Sequence, residues 1–177
     1  MASNRMNLLL AAVLAALTIS NIAHGQAAPE HAHAKAPAST ELKVIVDGKS
    51  TTLTLAELAA MPQKTVTVHN EHTKADETYA GVPLGELLAK YGFAVGQSTH
   101  RKMLRTYISA EGTDKYWVLF SATEVESSEH SADVIIATSM NGKPLGDDGA
   151  LKLIDNADKK PERWVRNLTT ITLVTVE

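Results

Sequence analysis

His69-Asn70-Glu71-His72 places two imidazoles, an amide and a carboxylate within four residues. Imidazole nitrogens suit zinc, copper, iron and nickel, and a carboxylate can serve as a third ligand or orient one, so His69, Glu71 and His72 form a candidate metal set. Alternate residues of a strand point to opposite faces, so the two histidines converge only if the chain turns between them. The competing reading is an exposed polar loop whose side chains bond the local backbone. The order differs from the His-Glu-x-x-His pattern of zinc peptidases, and peptidase activity is not implied. His31 and His33 form a second imidazole pair, with nothing around them to hold it in a ligating geometry. His100-Arg101-Lys102 with Arg105 is a basic cluster suited to an anion or to a solvated strand entrance. Glu124, Glu126 and Glu129 with His130 read as a solvated acidic face. The chain contains no cysteine, which excludes thiolate catalysis and thiolate metal ligation.

The elements that must position these residues follow from periodicity. Leu42, Val44 and Val46 alternate with polar residues and Asp47-Gly48 follows, which predicts a strand and a tight turn. Thr54-Leu55-Ala56-Glu57 has the form of a capping box and Pro62 stops what it starts, predicting a short helix over 55–61. Val66 and Val68 predict a strand over 65–69 that delivers the chain to the histidine segment. Pro83 is pre-set for a first helical turn, Leu84, Leu87 and Leu88 supply an apolar stripe, and Gly92 ends it. Further strands are expected over 103–108, 116–120, 133–139, 151–154 and 169–176, with a turn at Asn141-Gly142. The sum is an α+β domain, mixed strands with a few short helices.

Arg5, the apolar run Leu8 to Ile19 and Ala23-His24-Gly25 have the order of a secretory signal peptide, expected over 1–25. Residues 26–40 are rich in alanine without periodicity and predict a disordered spacer, leaving 41–177 as one domain. The expectation is a periplasmic or secreted protein with no membrane span after signal cleavage. Seventeen basic residues stand against 20 acidic ones, a balance that argues against a nucleic-acid partner.

Four phrases, "YAGVPLGELLAKYG" from Tyr79, "DKYWVLFSATEV" from Asp114, "NGKPLGDDGALKLI" from Asn141 and "ERWVRNLTTITL" from Glu162, together resemble successive motifs of the oxidoreductase molybdopterin-binding domain, the catalytic fold of sulfite oxidases. The resemblance spans nearly all of Leu42 to Val176 and implies the sulfite oxidase-type fold, with molybdopterin as the cofactor. It also implies that Asp114, Tyr116 and Arg163 stand near the pterin, and that His69 or Asn70, with His72 close by, occupies the place where catalytic members carry a molybdenum-ligating cysteine. Neither imidazole nor amide replaces a thiolate, so molybdenum–cysteine ligation is excluded. Lys115 stands where the family often has glycine, and Ala150 departs from a usual Gly-Pro pair. Two functions follow as expectations. One is a non-catalytic or degenerate binding or accessory module, acting on a small-molecule ligand or a periplasmic protein partner. The other is a redox protein holding a pterin or metal without cysteine, through the His69–His72 loop.

Overall fold

The computed structural model describes residues 36–71, 73–93, 99–126 and 133–177. In chain order the elements are β1 (Glu41–Val46), β2 (Lys49–Thr54), α1 (Leu55–Ala59), β3 (Lys64–Asn70), β4 (Ala75–Pro83), α2 (Leu84–Lys90), α3 (His100–Met103), β5 (Thr106–Gly112), β6 (Trp117–Ser121), β7 (Val134–Met140), β8 (Lys143–Pro144), β9 (Lys152–Asp155), β10 (Val165–Arg166) and β11 (Leu168–Thr175). The expected signal peptide, His31 and His33, most of the expected spacer, His72, Glu129 and His130 lie outside the described residues.

The strands build two sheets. The first has the order β2-β1-β11-β5-β6, and the second β10-β9-β7-β4-β3 with β8 beside β7. All pairings are antiparallel except β1 with β11. Asp47 and Gly48 both take positive φ, as a two-residue hairpin turn requires. At α1 the Thr54 hydroxyl accepts from the Glu57 amide while the Glu57 carboxylate accepts from the Thr54 amide, which completes the capping box. That hydrogen bonding holds the Glu57 carboxyl below its ordinary value.

The larger core cluster draws Leu42, Val44, Ile108, Phe120 and Ile171 from the first sheet and Val82, Ile136 and Leu153 from the second, so it lies between them. Leu84, Leu87 and Leu88 of α2 join it. A second cluster, with Val66, Val68, Tyr79, Ile135, Ala137, Ile154 and Trp164, covers the other face of the second sheet. Burial on both faces explains the unbroken apolar run at the start of β7, because alternate residues must each meet a core.

Three sequence expectations change. The histidine segment does not lead by a loop into a helix: β4 intervenes and pairs with β3 from Lys64–Gly81 to Asn70–Ala75, so the segment is a hairpin tip. The first part of β4, Ala75 to Thr78, carries no buried apolar residue, which conceals it from hydrophobic periodicity. Met103 belongs to α3, and the strand starts at Thr106, because the Met103 side chain packs into the core from the helix. The end of the expected spacer is tied down, since the Thr113 hydroxyl donates to the Pro37 carbonyl and the Ser39 amide donates to Asn167 Oδ1. Gly81 marks the register shift between β4 and β7, where an added Cβ would lie 2.0 Å from the Ile136 carbonyl oxygen. Only glycine permits that approach.

Candidate functional site

The β3–β4 hairpin sends its side chains two ways. Val66, Val68 and Asn70 share the face that carries the second core cluster, whereas His69 lies on the opposite, exposed face. His69 Nδ1 sits 2.8 Å from Asp76 Oδ1, with both side chains more than half exposed. Glu71 pairs with Lys74 across the turn at 2.6 Å. Lys74 takes φ 55°, which lets the turn close with its amide on the Asn70 carbonyl. Thus His69, Asn70 and Glu71 face three separate environments. Among the described residues, no group of three histidine or acidic side chains is gathered as a metal would need.

The inward face is where polar groups converge. Asn70 Nδ2 donates to Glu77 Oε1 at 2.8 Å, and the Thr73 hydroxyl donates to the same oxygen at 3.3 Å. The Tyr79 hydroxyl donates to Glu77 Oε2 at 2.8 Å and accepts from the Lys152 ammonium at 3.2 Å. Lys152 also pairs with Asp148 at 2.6 Å. Its nitrogen lies 5.0 Å from the Tyr79 ring centre and 5.2 Å from that of Trp164, within cation–π range of both. The two rings meet edge to face with centres 6.0 Å apart. Trp164 Nε1 donates to the Asp155 carbonyl, so its ring is fixed. Burial, and then the bond to Glu77, pushes the Tyr79 phenol well above its ordinary value. The chain of contacts runs unbroken from the hairpin tip to the Gly146–Asp148 turn, and the protein's own ammonium is at its centre.

Arg163 anchors a second cluster. Its guanidinium donates to both oxygens of Asp158, to Glu124 and to Asp155, and lies 4.5 Å above the Phe120 ring. The two-oxygen bond to Asp158, followed by the bond to Glu124, holds its proton more tightly than in water. Three carboxyl groups thus share one guanidinium. Asp114 accepts the Tyr116 amide at 2.9 Å and so shapes the turn before β6, while the Tyr116 hydroxyl donates to the Glu162 carbonyl. Lys115 takes φ 69° there, so this position keeps the left-handed backbone that glycine adopts most cheaply. In the basic cluster, Lys102 pairs with Asp47 at 3.0 Å.

These residues do not fit a pterin-bound molybdenum held in the way the resemblance implies. No thiol exists to ligate the metal. His69 is turned outward, Asn70 is committed to Glu77, and Arg163 is saturated by carboxylates. The hollow between the hairpin tip and the 158–161 segment, lined by His69, Asn70, Glu71 and Trp164, measures about 10 Å³. That is roughly the room one water needs.

The central members of the polar chain, Glu77, Tyr79, Asp148 and Lys152, are not marked by any motif of catalysis. The signal that could reveal them is Lys152 itself: a lone lysine inside the apolar run Leu151 to Ile154, four residues after an aspartate, must bring its own counter-charge if buried.

Comparison with known proteins agrees with the architecture. The model of the oxidoreductase molybdopterin binding domain family matches residues 30–150, and the chain belongs to that family. Among solved structures, the sulfane dehydrogenase SoxCD from Paracoccus pantotrophus superposes with a TM-score of 0.59 at 20% identity, covering 75% of this chain and 37% of that one. At that identity the likeness is one of fold, the sulfite oxidase-like molybdopterin-binding fold, and this chain spans little more than a third of its neighbour. The search of curated proteins finds no match.

Proposed function

We propose that this protein is an exported, non-catalytic member of its family, a binding or accessory module that folds and works without the molybdenum cofactor. The observation that carries this reading is the fate of the inward-facing β3 end. A chain without cysteine places Asn70 there, and commits the Asn70 amide to a closed polar chain through Glu77, Tyr79 and Lys152. A cation is already supplied by Lys152, and the surrounding aromatic rings are already in contact with it. Oxo transfer at a metal would need a ligand set this site lacks, whereas holding a partner needs only a stable frame. The signal-like order of residues 1–25 supports work outside the cytoplasm.

The test is elemental analysis and an absorption spectrum of protein purified from its native host, with the mass of the mature chain read on the same sample. A colourless protein without stoichiometric metal, shortened by about two dozen residues at its start, is the expected result. Stoichiometric molybdenum, or pterin released on denaturation, overturns the non-catalytic reading. A full-length mature chain overturns export by a cleaved signal.

A further inference from the structure

The outer face of the first sheet is mostly polar, with Lys43, Thr52, Thr170 and Thr172 across β1, β2 and β11, but it turns apolar at β6. Trp117 and Leu119 are 58% and 46% exposed, and Leu104 and Val176 beside them are 60% and 54% exposed. These are four of the six exposed large hydrophobic residues found among the described residues. Leu104, Tyr107, Leu119, Phe120 and Val176 line an open cleft of about 390 Å³, with Arg105 at its lip. Grouped apolar exposure of this kind marks an interaction site, whereas the same residues scattered would not.

β6 is also the edge strand of its sheet. The Gly112 amide donates to the Tyr116 carbonyl at 3.0 Å, which fixes the phase of the ladder with β5. The two-residue alternation of an antiparallel pair then points the backbone N–H and C=O of Trp117 and Leu119 away from β5, onto the open edge. The outward Ser121 amide is closed off by the Glu124 carboxylate at 2.7 Å. Edge strands are ordinarily protected by lysine, proline or a bulge, and Trp117–Ser121 carries no such residue.

Charge selects the occupant. Arg105 makes no ion pair among the described residues; Glu111 pairs instead with Lys115 at 3.1 Å, and Glu177 does not reach Arg105 within ion-pair distance. A strand added antiparallel to β6 begins at the Ser121 end, beside Arg105, and runs toward Trp117. We propose that the β6 edge binds an extended segment of a partner protein, with an acidic residue at its start and alternating apolar residues after it, added antiparallel as a sixth strand. The backbone of Trp117 and Leu119 supplies the hydrogen bonds, the cleft takes an apolar side chain, and Arg105 meets the acid. This is independent of the cofactor question, since metal content leaves the β6 edge unchanged.

The test uses the full mature chain and two fluorescein-labelled peptides, acetyl-Asp-Glu-Val-Thr-Val-Ser-amide and the same peptide beginning Lys-Lys, titrated by anisotropy. The acidic peptide is expected to bind about tenfold tighter than the basic one, with the preference reversed in Arg105→Glu. Leu119→Pro removes an outward amide that β5 does not use, so it should abolish binding while leaving thermal unfolding nearly unchanged. If that variant does not fold, Leu119→Lys provides the edge block instead. The proposal is overturned if neither peptide saturates below about 1 mM, the weak end of specific binding. It is also overturned if Arg105→Glu leaves the preference unchanged, if a folded edge variant retains full affinity, or if laurate binds the cleft while the peptides do not. A wild-type dimer that Leu119→Lys dissociates would assign the edge to a second copy and overturn it as well.

Discussion

Lys152→Met tests the polar chain at its centre. The lysine side chain is 8% exposed and its partner Asp148 is 22% exposed. Methionine keeps most of the aliphatic stem and its contact with the Tyr79 and Trp164 rings, so the change removes chiefly the charge. Among the described residues Asp148 then keeps only Arg166 as an ion-pair partner, whose Nε is 3.9 Å away on an exposed side chain. Removing one partner of a fully buried pair costs about 3–5 kcal/mol, and partial access of water to Asp148 brings the expectation to about 2–3 kcal/mol. For a domain of this size that corresponds to a fall in Tm of roughly 5–10 °C. Urea unfolding followed by tryptophan fluorescence reads it directly, because Trp164 lies against the substituted side chain. Adding Asp148→Asn to Lys152→Met should restore much of the loss, since the stranded charge is then gone. A single-variant loss below about 0.5 kcal/mol, the range of an ordinary surface change, would show that the Lys152 ammonium does not hold the polar chain together.

His69→Ala should shift stability by no more than about 0.5 kcal/mol, because its only described partner is an exposed cross-strand Asp76; a larger loss in urea unfolding contradicts the exposed geometry. Arg163→Lys should cost about 2 kcal/mol by the same assay, since a single ammonium cannot serve Asp158, Glu124 and the fully buried Asp155 as the guanidinium fork does. Alkaline pH should also weaken the fold through Tyr79. Its phenol is raised above the ordinary value of 10.0, so above that pH the unfolded chain releases a proton that the folded one retains. The stabilisation is full below that value and declines as pH rises; unfolding midpoints from pH 8 to 11 should fall less steeply in Tyr79→Phe than in the wild type.

Much of the architecture is legible in the chain because its signals are local. The capping box at Thr54 and Glu57, the hairpin at Asp47-Gly48 and the apolar stripe of α2 all appear where residue type and spacing place them. β4 is hidden because its first half, Ala75 to Thr78, is a polar strand whose identity depends on pairing with β3 and β7. For the same reason the site is only partly legible. His69 and Asn70 are neighbours in sequence, yet a strand sends them to opposite faces, so the imidazole meets solvent and the amide meets Glu77. Arg163 stands out as a basic residue beside a tryptophan, and Asp155 and Asp158 lie just before it in the chain, but Glu124 comes from a segment 39 residues away and only the fold brings it in. Asp114 and Tyr116 are brought together as a turn, with the amide of one held by the carboxylate of the other.

The parallel pairing of β1 with β11 joins nearly the first residues of the domain to nearly the last, Lys43 beside Thr170. β11 also separates β1 from β5, so it is an interior strand of its sheet. A chain emerging from a ribosome can therefore form the β3–β4 hairpin early, but it cannot assemble the first sheet until Leu168–Thr175 have been made. Until then the β1–β2 hairpin and the β5–β6 hairpin have nothing between them, and the apolar faces of both stay uncovered. β11 thus acts as a clasp: the second sheet can be complete by Arg166, whereas the first closes only when Leu168–Thr175 arrive to lie between its two hairpins.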